Sequence, residues 1–530
     1  MKRIHRLLLS GCAGLLLSLP WFGLPGWILF FAFVPLLYLE HFFYKYKEGF
    51  PTVSLWGHVF FAALIWNILA SWWMTKVSLV GVGSAMIFNA FLMSTVWWAA
   101  HSIRRDLSSP LGYISLVVFW ISLEYLQFSW DIEWPCLQLG SVLASNLKII
   151  QWYEYTGTFG GTLWILLLNI FLFKLLQSFL DKTKQLKVKL TYVTVSGLFI
   201  LVPIVWSLIL YTGYTEEKNP IHISIIQPNV DPYTEKFDME SEEQKLDDFL
   251  RLATHVTTDS TDLIVGPETV FEHQYLWNED GFQSNHFLNE LQHFLNNFKK
   301  AELVFGVSSF KVYENEDEIT PSAQNKDGVI YDRFNTALLL DRAGETQIYH
   351  KSKLVAGVEK VPFQKYFSVL KNNYIDLGGT SGTLGRQTEA SNLEMQNGVV
   401  IAPVICFESV FGAYVSDYVK KGAELIVVMT NDGWWKNSRG YKQHLLFSQL
   451  RAIETRRSIA RAANTGTSCF INQRGEVLQA TNWWEAAAIS GCVNKNDEIT
   501  YYVEHGDFIP RAAIFVSIMI VLLVFVRRFR

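Results

Sequence analysis

A helical membrane domain of about eight spans carrying one α/β domain is the fold class this sequence predicts. Three observations predict it. Half of the 530 residues are hydrophobic and only 18% are charged, which is unusual for a soluble chain. The apolar residues concentrate from residue 7 to about 213 and again from 512 to 526. Between them, residues 214 to 511 have mixed composition, and strand-like stretches there alternate with helix-like ones.

A hydrocarbon core takes about 20 mostly apolar residues per helix. That length places spans near 6–22, 24–43, 55–74, 78–100, 111–129, 158–179, 192–212 and 511–526. The first two share the hinge LPWFGLPG, so a tight helical hairpin is expected with Pro20 and Pro25 at its turn. Lys and Arg next to spans stay cytoplasmic. Lys2, Arg3, Arg6, Lys45, Lys47, Arg104, Arg105, Lys182, Lys184, Lys187, Lys189, Arg527, Arg528 and Arg530 fall on one side, whereas the alternate loops offer only Lys76 and Lys148. Both termini are therefore expected inside and the α/β domain outside. The division is 1–213 for seven spans, 214–510 for the outer domain, and 511–530 for the last helix and basic tail.

Three details within the spans carry separate readings. LSGC at 9–12 resembles a lipoprotein signal, but only Leu7, Leu8 and Leu9 separate it from the basic start, so Cys12 is read as a small residue in the first helix. Trp72 and Trp73 close a span, as an aromatic belt does. Glu124 is read as the one inward carboxylate, in span five; it either lines an access path for lipid or peptide or pairs with a polar neighbour.

In the outer domain, β-branched or alternating runs predict strands at 221–227, 262–266, 302–309, 334–340, 399–405, 424–429 and 467–472. Amphipathic runs predict helices at 239–256, 284–300, 409–421 and 442–462. A net charge of −4 supplies no basic field, so nucleic acid is excluded as a partner. Five widely spaced cysteines form neither a CxxC pair nor a zinc pattern, so no metal is expected. Cys469 and Cys492 are read as buried thiols, with a disulfide between them the alternative in an oxidising compartment, and Cys136 has no assigned partner.

Two strands run directly into reactive side chains: 262–266 into Pro267 and Glu268, and 399–405 into Cys406. Strand ends are where α/β sheets collect chemistry. Cys406 taken alone has three readings, as packing, as a redox partner or as a nucleophile. A nucleophilic thiol needs a proton acceptor and an oxyanion donor. No His is its sequence neighbour, although His350 or His444 could fold nearby. A partly desolvated carboxylate whose pKa rises toward the working pH is the other available base, and Glu268 fits. Without further support Glu268 reads by default as a surface residue at a turn.

That support comes from PE at 267–268, YHKSKLVAGVEKVPF at 349–363, ICFES at 405–409 and TNDGWW at 430–435. This ordered set resembles the Glu/Lys/Cys triad of the nitrilase superfamily. With the flanking spans, the whole chain resembles the bacterial apolipoprotein N-acyltransferases. The resemblance implies an αββα nitrilase-like domain in which Cys406 is the nucleophile, Glu268 the base and Lys351 the third member. Lys353 competes for that last role, but Glu359 stands eight residues after Lys351, as the family pattern asks. Lys351 would lower the thiol pKa and hold the oxyanion with the Phe407 N–H.

Glu359 and Glu408 resemble supporting carboxylates that orient Lys351 or shape the pocket, and Glu359 is alternatively a solvated partner of Lys360 or Lys353. Phe237, Asn431, Trp434 and Trp435 are the expected substrate-binding set. Asn431 and Asp432 hold the loop, and the tryptophans either floor the pocket or meet lipid headgroups. Phe407 replaces a tyrosine common in the family, Phe237 a tryptophan, and SKLVAGVE departs from the usual ending of the lysine loop.

The resemblance further implies transfer of an acyl chain from a membrane phospholipid, through a Cys406 thioester, to the N-terminal amine of diacylglyceryl-cysteine on a lipoprotein. It implies no cofactor, a monomer, and a bacterial cytoplasmic (inner) membrane location with the catalytic domain periplasmic. The competing readings are a membrane-tethered amidase and a transporter or receptor with an outer binding domain.

Overall fold

The computed structural model describes residues 1–236, 242–272, 277–363 and 383–528. Phe237 lies outside the described residues. The chain forms two compact units, Met1–Tyr214 with His505–Arg530, and Thr215–Glu504.

Among its described residues the first unit contains eight helices long and apolar enough to cross a membrane: Arg3–Phe22, Gly26–Lys45, Val53–Lys76, Leu79–Asp106, Ser109–Ser129, Tyr153–Leu180, Leu186–Gly213 and Phe508–Arg527. Helices suit this setting because each satisfies its own backbone groups where no water can. Pro20 and Pro25 sit at the hairpin turn as expected, and Gly23 closes it at φ 86°. The helix of the first span continues through Cys12. The second span is broken at Phe33, ahead of Pro35. Asn169 of the sixth span repairs the break, accepting from the Phe33 N–H at 2.8 Å and donating to the Leu29 carbonyl at 2.7 Å.

Glu124 pairs with polar neighbours: it accepts from Trp120 Nε1 and the Leu139 N–H, each at 3.0 Å, and from Thr162 Oγ1 at 2.7 Å. It is not the one inward carboxylate. Glu40, in the second span, is buried against His101 Nδ1 at 2.7 Å and bonded to Arg104. Sequence reading passed over it because a single Glu beside HFFYK looks like the end of a span. The two belt tryptophans separate: Trp72 is exposed, whereas Trp73 is buried and donates to the Ala70 carbonyl at 3.2 Å.

In the second unit the strands are β1 Pro220–Gln227, β2 Leu263–Val265, β3 Glu302–Val312, β4 Gln324–Lys326, β5 Val329–Leu340, β6 Thr346–His350, β7 Leu393–Glu394, β8 Val400–Ile405, β9 Leu425–Thr430, β10 Ile459–Ala463, β11 Cys469–Ile471, β12 Val477–Ala480 and β13 Ala487–Asn494. One sheet runs β13-β1-β2-β3-β5-β4 with β6 also paired to β5; the other runs β12-β11-β10-β9-β8-β7. Strands β1, β2 and β3 are mutually parallel, as are β8, β9 and β10. Such strands are buried on both faces and so read as continuous apolar runs.

The sheets meet through β1, β2 and β10. Helices α1 (Glu242–Val256) and α2 (His286–Leu295) cover the first sheet, where Phe249, Leu291, Ile264 and Phe305 share one core. Helices α3 (Gly412–Lys420) and α4 (Arg439–Thr455) cover the second. This is the αββα order that the resemblance implies.

The predicted helix 442–462 overruns. Helix α4 stops at Thr455, Arg456 turns left-handed at φ 50°, and β10 follows. The polar residues of RRSIARAA imitate a helical face, but Arg461 is a fully buried strand residue that meets a buried carboxylate. All five cysteines are free, so Cys469 and Cys492 form no disulfide; Cys469 is buried as expected and Cys492 is exposed.

Candidate active site

Four strand ends converge. Glu268 follows β2, Lys351 follows β6, Cys406 follows β8 and Asn431 follows β9. The approach to Glu268 depends on a glycine across the sheet. A Cβ on Gly306 of β3 would lie 2.4 Å from the Thr269 nitrogen and 2.7 Å from Glu268 Cα. The Gly306 N–H donates to the Pro267 carbonyl at 3.0 Å, and its own carbonyl accepts from the Val270 N–H at 2.9 Å.

Glu268 is buried and fully engaged. Oε1 accepts from Lys351 Nζ at 2.9 Å and Asn335 Nδ2 at 2.8 Å, and Oε2 accepts from the Asn431 N–H at 3.1 Å. Lys351 also donates to Glu359 Oε1 at 2.8 Å, so Glu359 is a buried partner of the lysine and not a solvated charge. Glu359 Oε2 accepts from the Val355 N–H at 2.7 Å, closing the loop between them. Lys353 points elsewhere: its ammonium lies 5.2 Å from the Phe411 ring centre and 5.3 Å from that of Tyr414.

Glu408 does not touch Lys351. Its Oε1 accepts from the Ser352 N–H at 2.7 Å and Tyr349 OH at 2.6 Å, and its Oε2 from the Ile405 N–H at 2.8 Å. One carboxylate thus ties the lysine loop to the cysteine turn. Burial pushes its pKa up to about 7.

Cys406 is buried at φ 49°, a left-handed conformation that costs about 1–2 kcal/mol for a residue with a Cβ. The turn it starts, Cys406–Val410, leaves the Phe407 ring half-buried and edge-on to Phe411 at 5.1 Å. Burial raises the thiol pKa, the Glu268 carboxylate raises it further, and Lys351 opposes them without prevailing. Burial also acts to raise Glu268, but Lys351, Lys236 and Asn335 outweigh it and hold the carboxyl below its usual range. Lys351, despite burial, is held well above the usual ammonium value by Glu268 and Glu359.

The Glu268 shift is therefore opposite to the sequence expectation, whereas Lys351 does act to lower the thiol pKa, as expected, but is outweighed. The causes are Lys351 first and then a second buried cation, Lys236, seated on Thr269 Oγ1 at 2.7 Å and Glu272 Oε1 at 2.9 Å, for the carboxyl, and desolvation for the thiol. Both directions favour a neutral thiol beside an ionised carboxylate.

Of the substrate-binding set, Asn431 holds Glu268 through its backbone. The Trp434 ring packs edge-on to Tyr233 at 5.7 Å with Lys236 Nζ 5.4 Å from its centre, and Trp435 packs edge-on to His444 at 5.3 Å. Asp432 Oδ1 lies 2.9 Å from His444 Nδ1, and its Oδ2 accepts from Arg461 at 2.7 Å; although buried, it is held down to about 2 by Arg461 and His444. His350 bonds Thr336 at 2.9 Å. Sequence reading missed Asn335, Lys236, Gly306 and Arg461. The only signal for Asn335 was an amide in the apolar run FNTALLL.

Residues 223–497 match the carbon-nitrogen hydrolase family, and residues 13–171 match the apolipoprotein N-acyltransferase N-terminal domain. The apolipoprotein N-acyltransferase of Chlorobaculum tepidum is 27% identical, covering 97% of this chain and 96% of its own length. That of Thermotoga maritima is 26% identical, covering 99% and 94%. Among solved structures, Saccharomyces cerevisiae Nit3 of the nitrilase superfamily superposes at TM-score 0.37 with 14% identity, covering 53% of this chain and 93% of that one. The matches span both units of the chain, and it belongs to the carbon-nitrogen hydrolase (nitrilase) superfamily, in the membrane-embedded branch of the apolipoprotein N-acyltransferases.

Proposed function

We propose that this chain acylates the N-terminal amine of lipoproteins, with a membrane phospholipid as donor and Cys406 as the covalent carrier. The observation that carries the reading is the buried Glu268–Lys351–Glu359 cluster electrostatically coupled to the Cys406 thiol. The family membership supports it. As Sγ attacks the donor ester carbonyl, its proton passes to a Glu268 oxygen, so no free thiolate has to exist beforehand. Lys351 Nζ and the Phe407 N–H meet the oxyanion. Collapse expels the lysophospholipid alkoxide, which takes the proton from Glu268, and a thioester remains. The acceptor amine then attacks the thioester, Glu268 takes the amine proton and returns it to the departing sulfur, and the amide is released.

An α-amino group has a pKa near 8, so a useful fraction is nucleophilic at neutral pH. The acyl group arrives as an ester, which is why this ping-pong scheme calls for no cofactor. The Lys and Arg distribution supports cytoplasmic termini and a periplasmic catalytic domain in the inner membrane. We take the working form as a monomer, with diacylglyceryl lipoproteins and phospholipid as its partners.

Intact mass after incubation with phospholipid tests the reading. An acyl-sized increase is expected in the wild type, lost in Cys406→Ala and discharged by a diacylglyceryl-cysteine peptide with formation of its amide. An adduct that survives the substitution overturns the cysteine assignment. Free fatty acid as the sole product in the presence of peptide overturns the transferase in favour of an amidase-like hydrolase.

A further inference from the structure

The peptide bond between Cys406 and Phe407 has two ends, and the carbonyl end is engaged. Its N–H belongs to Phe407, and no acceptor among the described residues meets it. Its carbonyl belongs to Cys406 and is held by two side chains. Ser409 Oγ donates to it at 2.7 Å, and His444 Nε2 lies 3.0 Å from it. A carbonyl oxygen can only accept, so this contact is a hydrogen bond in the form of the ring that carries a proton on Nε2, which also lies 3.0 Å from Ser409 Oγ. Behind the imidazole, Nδ1 lies 2.9 Å from Asp432 Oδ1, and the other oxygen of Asp432 accepts from Arg461 at 2.7 Å. Every member of this chain is buried: His444, Asp432, Arg461 and Ser409. The low-dielectric interior magnifies what each bond does to the next.

We infer that His444 is a positioning residue for the oxyanion donor: the Arg461–Asp432–His444 chain, with Ser409, polarises the Cys406 carbonyl and thereby strengthens the Phe407 N–H at the far end of the same peptide. A bond accepted by an amide carbonyl withdraws electron density across the C–N unit and makes the N–H more acidic as a donor, the cooperative strengthening known in hydrogen-bonded chains. The same two bonds hold the Cys406 peptide in its left-handed setting, so the donor keeps its direction. His444 takes no proton from the thiol in this arrangement; its reach ends at the backbone. The inference rests on Cys406 being the acyl carrier, as proposed above.

The test uses full-length protein in detergent, with His444→Leu, His444→Gln and Ser409→Ala. Two probes separate the roles. Iodoacetamide alkylates sulfur by displacement at a tetrahedral carbon and forms no oxyanion. A long-chain aldehyde adds the thiol to its carbonyl, giving a hemithioacetal whose oxygen sits where the oxyanion would. In His444→Leu, donor acylation is expected to fall roughly tenfold to a hundredfold in kcat with little change in KM, the scale of a weakened oxyanion donor. Aldehyde affinity is expected to fall in parallel, while the alkylation rate of Cys406 stays within about twofold. His444→Gln, whose amide N–H can reach the same carbonyl, is expected to recover part of both losses, and Ser409→Ala to show a smaller loss of the same kind. Aldehyde affinity unchanged in His444→Leu, or aldehyde affinity and alkylation falling together, overturns the inference. Should that variant not fold, Ser409→Ala decides by the same criterion. Acyl transfer persisting in Cys406→Ala is a separate result and overturns the proposed function instead.

Discussion

Adding one methyl group at Gly306 is expected to disable the proposed base without touching it chemically. In Gly306→Ala the new Cβ would stand 2.4 Å from the Thr269 nitrogen, where ordinary contact begins at 3.4 Å, so the segment carrying Glu268 must retreat by about 1 Å. It cannot swing freely, because hydrogen bonds from Gly306 to Pro267 and from Val270 to Gly306 pin it on both sides of Glu268. The shift breaks the fit of Glu268 to Lys351, Asn335 and Asn431. Overpacking of this kind costs about 1–3 kcal/mol, and a displacement of about 1 Å in a reacting group costs on the order of a hundredfold in rate. The assay is the initial rate of transfer from a fluorescent-acyl phospholipid to a diacylglyceryl-cysteine peptide, with thermal unfolding of the same samples. Gly281→Ala is the control, since nothing approaches its Cβ position closer than 3.9 Å. A Gly306→Ala enzyme within threefold of wild type, with an unchanged unfolding temperature, would refute the reasoning.

Lys351→Met strands two buried carboxylates and is expected to abolish acylation and cost about 3–5 kcal/mol at neutral pH in denaturant unfolding. The pH dependence should also change sign. In the wild type Glu268 has a depressed pKa, so its contribution is present above the unfolded carboxyl value and lost as pH falls through the folded one. Without the lysine, burial dominates, the folded pKa rises, and stability should recover as the buffer is acidified toward 5. Lys353→Met leaves the carboxylates paired and is expected to keep acylation within about threefold, while it removes cation–π contacts worth about 1 kcal/mol. Asp432 lies near pKa 2 against 3.8, which corresponds to roughly 2 kcal/mol of stability present above pH 4 and lost as pH falls through 2. Asp432→Asn should remove at least that much at neutral pH in urea unfolding, and an unaltered midpoint would disprove the ion pair's contribution.

The strand ends at Glu268 and Cys406 were legible because each is a local event, an apolar run that stops at a reactive side chain, whereas Lys351 follows TQIYH, which is no apolar run, and was reached through the motif around it. Lys351 could be preferred over Lys353 by its spacing to Glu359, and the geometry gives that spacing its reason, two side chains 2.8 Å apart across one loop. Ionisation was not legible. It is a sum over groups far apart in the chain, and Lys236 stands 32 residues before Glu268, so no window of sequence could weigh it against burial. Arg461 hid for a related reason: a buried charge inside a strand carries the pattern of an exposed helix until Asp432 is known to face it. The membrane spans were readable from length and hydropathy alone, whereas the polar bonds that join them, such as Asn169 to the break at Phe33, follow from packing between helices.

Strand β1 is the first strand of its domain to be made, and one of its edges is covered by β13, the last, in antiparallel register from Pro220 opposite Asn494 to Gln227 opposite Ala487. Until the ribosome has delivered the whole domain, that edge has a full row of backbone donors and acceptors with nothing native to bind. An open, apolar edge of this kind templates wrong pairings and aggregation. Biogenesis of this enzyme therefore includes an interval in which an unfinished sheet must be shielded, and slowing the emergence of residues 487–494 should lower the yield of folded protein more than the same delay placed after them.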